Sequence, residues 1–123
     1  MTEAGLLIGD SGNPLYTHLP AGRSAVYLPD DHSLWDAMMT FRDILAGFAH
    51  SHPGGGVPAP SWEDITTFAA VEAGLGRRLA WWIASSDATV LVTWSGPDRL
   101  DYRVVALADV PAWTGQLLAL SEI

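Results

Sequence analysis

The stretch Ile44-Leu45-Ala46-Gly47-Phe48-Ala49-His50-Ser51-His52-Pro53 sets the reading of the whole chain. Ile44 to Ala49 is nearly all apolar and reads as a buried strand. It delivers His50 and His52, one residue apart, at its end. On a strand, residues i and i+2 point to the same face and lie roughly 6–7 Å apart along the chain. Two imidazoles at that spacing can converge on one ion with bonds of about 2.0–2.1 Å. Pro53 preserves this geometry by keeping His52 extended and out of the helical region. Pro53 to Pro60 is then a loop of three Gly and three Pro. Ser61-Trp62-Glu63-Asp64 opens the next helix, with Ser61 as N-cap and acids favoured in the first turn. A third metal ligand must come from outside the His pair, and the loop can bring Asp64 back to supply it.

Working outward, the helix runs from Trp62 to about Leu75 and is stopped by Gly74 and Gly76. Upstream, Leu6-Leu7-Ile8 is a short strand closed by the turn cluster Gly9-Asp10-Ser11-Gly12-Asn13-Pro14. Leu15 to His18 reads as the returning strand and Ser24 to Leu28 as a third. Asp31 or Ser33 caps a helix that places Leu34, Met38 and Phe41 on one face. Downstream, Leu79 to Ala84 and the β-branched run Ala88 to Trp94 read as strands. Gly96-Pro97-Asp98 turns the chain into a strand from Tyr102 to Leu107, and a short helix from about Pro111 to Leu120 follows. The order β-β-β-α-β-loop-α-β-β-β-α, with no repeat and no linker, predicts one α+β domain over residues 1–123.

Hydrophobic residues make up 49% of the chain and charged ones 16%, a balance that favours a folded core over disorder. The formal net charge of −8 argues against nucleic acid or an anionic membrane as partner, because both reward clustered Lys and Arg. There is no cysteine, so a metal site must use His, Asp or Glu. No apolar stretch is long enough to span a membrane, and the first residues lack the pattern of a signal peptide. The expected setting is cytoplasmic.

His50-Ser51-His52-Pro53 followed by Ser61-Trp62-Glu63-Asp64 resembles the His-x-His-Pro…Ser-x-x-Asp signature of the JAMM (JAB/MPN) zinc metalloproteases, prokaryotic type. Pro58-Ala59-Pro60-Ser61 is also similar to the RadC branch of that fold. The resemblance implies a JAB/MPN-like (cytidine-deaminase-like) domain, a mixed β-sheet flanked by helices. It implies zinc held by His50, His52 and Asp64 with a water in the fourth position, and a Ser61 hydroxyl that stabilises the developing oxyanion. The loop between His52 and Ser61 holds eight residues where the family usually has seven.

The family's general base is a glutamate on an early strand, in a context like Glu-x-x-Gly-Leu-Leu-x-Gly. Glu3-Ala4-Gly5-Leu6-Leu7-Ile8-Gly9 is similar but one residue shorter between the Glu and the first Gly. A one-residue slip turns a strand side chain to the opposite face, and chain termini fray. Glu63 is a second candidate by proximity, although a first-turn acid is expected to face solvent.

Two main functions follow from the resemblance, with a RadC-like or phage-associated domain whose role is not proteolysis as a third. One is a zinc-dependent peptidase or isopeptidase acting on the C-terminal tail, or conjugates, of a ubiquitin-like or sulfur-carrier protein. The other is a non-catalytic, zinc-stabilised interaction module; a homodimer remains open in either case. His18 and His32 read as surface residues, Trp81-Trp82 as strand packing and Arg77-Arg78 as a solvated pair.

Overall fold

The computed structural model describes residues 1–123. The elements are β1 (Gly5–Gly9), β2 (Pro14–His18), α1 (His32–Thr40), β3 (Leu45–Ser51), α2 (Trp62–Leu75), β4 (Ala80–Ala84), β5 (Thr89–Trp94), β6 (Tyr102–Ala106) and α3 (Thr114–Leu120). They form an α+β fold around one six-stranded mixed sheet of order β2-β1-β3-β4-β5-β6. Only β3 and β4 run parallel; every other neighbouring pair is antiparallel. A parallel pair needs a long crossover, and α2 with its leading loop supplies it.

Both faces of the sheet are covered, which is why β1 and β3 read as continuous apolar runs. On one face Leu7, Phe48, Trp81, Ile83, Val90 and Val92 pack with Leu34 and Met38 of α1 and Phe68 of α2. On the other, Leu6, Ile8, Ala49 and Ala84 pack against Trp113 and Leu117 of α3. Gly47 lets the parallel strands meet: a Cβ there would lie 1.7 Å from the carbonyl oxygen of Ala80.

Three local readings change. Ser24–Leu28 is not a strand. Ser24 donates its N–H to the carbonyl of Tyr27 within the same segment, so the chain curls instead of pairing. Val26 and Tyr27 are left exposed despite their strand preference. Asp31, not Ser33, caps α1, accepting the N–H of Leu34 at 2.7 Å. The last helix starts at Thr114, because a turn from Pro111 to Thr114 precedes it.

One buried carboxylate was not foreseen. Glu72, near the C-terminal end of α2, accepts from Leu79 N at 2.9 Å, Trp81 Nε1 at 2.9 Å, Arg78 Nη1 at 3.0 Å and the Tyr102 hydroxyl. It thereby ties the helix to β4 and β6. Arg78, read as part of a solvated pair, pairs with Glu72 and lies 3.9 Å above the Trp94 ring. Burial, and then the bond to Glu72, raises the Tyr102 hydroxyl above its ordinary pKa. No helix is long and apolar enough to cross a membrane.

Candidate metal centre

β3 ends in the histidine pair, and its register with β1 decides which groups face it. Gly5 lies opposite His50, so Ala4 and Glu3 run on beside Ser51 and His52. Ser51 holds this end of the strand. It is fully buried, receives the Ala4 N–H on its hydroxyl at 2.9 Å, and contacts the Ser121 hydroxyl beyond α3.

The expected alternation puts His50 and His52 on one face, with their Nε2 atoms 3.1 Å apart. Asp64 Oδ2 lies 3.8 Å from His50 Nε2 and 3.7 Å from His52 Nε2. Three ligands around a tetrahedral zinc with bonds near 2.0–2.1 Å stand roughly 3.3 Å apart. The three donor atoms therefore fit one ion of that size after adjustments of a few tenths of an ångström.

Ser61 and Asp64 form a capping box at the start of α2. Ser61 Oγ accepts from Asp64 N at 3.0 Å, and Asp64 Oδ2 accepts from Ser61 N at 2.9 Å. Helix cap and metal ligand are thus compatible roles for Asp64: the cap aims the carboxylate at the histidines. Ser61 accepts a bond without using its own hydroxyl proton, which stays free to donate.

Glu3 is neither frayed nor turned away. Its side chain is buried, its N–H donates to Ser24 O at 2.7 Å, and its carbonyl accepts from Arg23 Nη1 at 3.1 Å. Its carboxylate and one ring nitrogen each of His50 and His52 lie within 4.8 Å of one another, a group able to hold a metal ion. Parity counted from Gly5 places Glu3 on the histidine face, so in this chain the missing residue does not reverse it. Glu63 is exposed on the first turn of α2, as a first-turn acid should be.

The protonation states suit a cation. Burial lowers His50 below the ordinary histidine pKa, keeping it as the neutral imidazole that binds metal. Burial alone would raise Asp64, but the nearby His50 and His52 rings outweigh that and hold it ionised well below the usual carboxylate range. Burial raises Glu3 from an ordinary 4.5 to about 7; His52 opposes this and Asp64 adds to it.

Two other histidines separate clearly. His32 is exposed, as expected. His18, expected at the surface, is 1% exposed because it ends β2 directly across from Gly5. The absent side chain at Gly5 makes room there for the Phe48 ring, which meets His18 edge-on. His18 Nε2 donates to the Pro29 carbonyl at 2.8 Å and fastens the segment that precedes α1. Of the tryptophan pair, Trp81 is buried in the core and Trp82 packs against Trp113.

Compared with models of known protein families and with curated proteins, the sequence matches neither.

Proposed function

We propose that the chain is a zinc-dependent peptidase or isopeptidase of the JAMM type, on a JAB/MPN-like fold. The observation that carries this reading is the convergence of His50, His52 and Asp64 at 3.1–3.8 Å, with the Glu3 carboxylate beside them. In this reading His50, His52 and Asp64 hold the zinc, which when bound polarises water and the scissile carbonyl.

The chain's own residues divide the remaining work. Glu3, raised toward neutral pH, accepts a proton from the attacking water and returns it to the leaving amine. Ser61 donates its free hydroxyl proton to the oxygen that gains charge as the amide carbon becomes tetrahedral. His50 and Asp64 enter already in their ligating protonation states, so binding the ion requires little proton release from them.

The substrate in this reading is the extended tail of a ubiquitin-like or sulfur-carrier protein, or a conjugate made through it. The test is incubation of the zinc-loaded protein with such a tail fusion. Cleavage at the tail that chelation abolishes and zinc restores supports the reading. Zinc retained without cleavage of any tail or conjugate favours the non-catalytic interaction module instead.

A further inference from the structure

The six basic residues of the chain are all arginines, and three of them, Arg77, Arg78 and Arg99, line one open groove of about 420 Å³ at the C-terminal end of α2. Ala69 and Ala73 form its floor, so no long side chain of the helix fills it. A fourth guanidinium, that of Arg42, stands at the edge, 3.6 Å from where a Cβ on Gly76 would lie. Gly76 closes α2 twelve residues after Asp64. At about 1.5 Å per helical residue, the groove is roughly 18 Å from the metal centre.

Helix capping explains part of this gathering. Arg42 Nε donates to the Leu75 carbonyl at 3.0 Å and Arg77 Nη1 donates to the Arg42 carbonyl, so both serve the helix end. Arg99 has no such duty: it is exposed on the turn between β5 and β6, and the neighbouring Asp101 accepts the Asp98 N–H instead of pairing with it. Glu72 is the only acid lining the groove, and it is buried with four donors already on it. It matches the charge of Arg78, whereas Arg42, Arg77 and Arg99 belong to no ion pair. In a chain of net charge −8, three guanidiniums thus stand together without a carboxylate partner. Arg78 is also fixed in advance, by Glu72 at 3.0 Å and by the Trp94 ring 3.9 Å beneath it, so it loses little freedom when its remaining N–H groups meet a ligand. Guanidinium forks match phosphate oxygens two at a time. The helix carbonyls that would repel an anion here are covered, Glu72 O by Gly76 N and Arg77 N, and Leu75 O by Arg42.

We propose that this groove binds a small multivalent phosphate, pyrophosphate or the diphosphate group of a small molecule. At physiological salt, charges beyond about 8 Å are largely screened, so a compact anion feels the arginines and little of the acidic body. A long polyanion has to cross that body and is repelled by it. The site is independent of the peptidase reading, since it requires neither zinc nor hydrolysis.

The test is calorimetric titration of the full chain with pyrophosphate, in metal-free buffer because pyrophosphate chelates zinc. The expected result is saturable binding of one pyrophosphate per chain, weakening as salt is raised. Arg99→Glu, an exposed change that removes a cation and adds an acid, weakens it by at least about tenfold. Arg77→Ala weakens it by roughly threefold, in line with one partly exposed charge. Arg103→Glu makes the same charge change at an exposed position of β6 outside the groove, and leaves the affinity within about twofold of wild type. His52→Ala, at the other end of α2, also binds as wild type does. Absence of saturable binding, wild-type affinity in Arg99→Glu, or an equal loss in Arg103→Glu overturns the proposal. Tighter binding of a double-stranded oligonucleotide than of pyrophosphate overturns it as well.

Discussion

Gly5 of β1 stands opposite His50 of β3, and this pairing sets the direction of the Glu3 side chain. Two residues back along an extended chain returns to the same face, so the carboxylate turns toward the histidines. If Glu3 is the proton carrier, Glu3→Gln lowers turnover of a tail substrate by roughly 10²–10⁴-fold. Bound zinc, measured by elemental analysis, stays unchanged. Loss of zinc in this variant would instead make Glu3 a ligand.

The Asp64 carboxylate serves both the helix cap and the histidines, and an amide can separate the two roles. Asp64→Asn keeps an acceptor for Ser61 N but removes the charge. Zinc affinity is expected to fall by at least the roughly 10–100-fold that loss of an outer partner costs. The helix content of the variant, read by circular dichroism, should match wild type. If His52 is a zinc ligand, His52→Ala lowers zinc content in the same way.

In the metal-free protein Glu3 makes stability depend on pH with a definite sign. Its folded pKa of about 7 exceeds the ordinary 4.5, so the folded state holds the proton more tightly. That stabilisation is fully present below about pH 4.5 and is lost as pH rises through 7. Gln is neutral throughout and does not lose it. The Tm of Glu3→Gln should therefore gain on wild type between pH 4.5 and 8, by about 3 °C or more. A constant difference across that range would show that the Glu3 pKa is not raised.

Much of this arrangement was legible in the sequence, and the exceptions have physical causes. The run Ile44–Ala49 announces β3 because burial on both faces leaves no polar alternation to confuse. That His50 and His52 share a face and that Ser61 and Asp64 form a cap was legible because strand parity and helix capping are local rules. Ser24–Leu28 misled because Val and Tyr favour strands wherever they fall, whereas this segment curls back on itself through the bond from Ser24 N–H to the Tyr27 carbonyl. His18 was misread because its burial comes from Gly5 across the ladder, a contact thirteen residues away in the chain. Glu72 gave no local sign, since its four donors come from three later segments.

Glu72 offers the clearest test of the fold. Glu72→Ala strands the Trp81 indole N–H and the Leu79 N–H, both within the buried core. Removing one partner of a buried charged network costs about 3–5 kcal/mol. Denaturant unfolding should show a loss of that order, against a smaller loss for Glu72→Gln, which keeps an acceptor oxygen. The Tyr102 shift adds an alkaline signature. Its hydroxyl is held protonated by the fold, so that stabilisation is complete below about pH 10 and falls away above it.

Ser51 sits between His50 and His52 but points the other way, into the layer closed by α3. Its hydroxyl joins the strand carrying the histidines, the backbone beside Glu3 and the last turn of the chain in one knot. The aim of the imidazoles is therefore tuned from behind the sheet. A change at Ser121, out of reach of any substrate, would detune the centre the way a loosened mount blurs a lens.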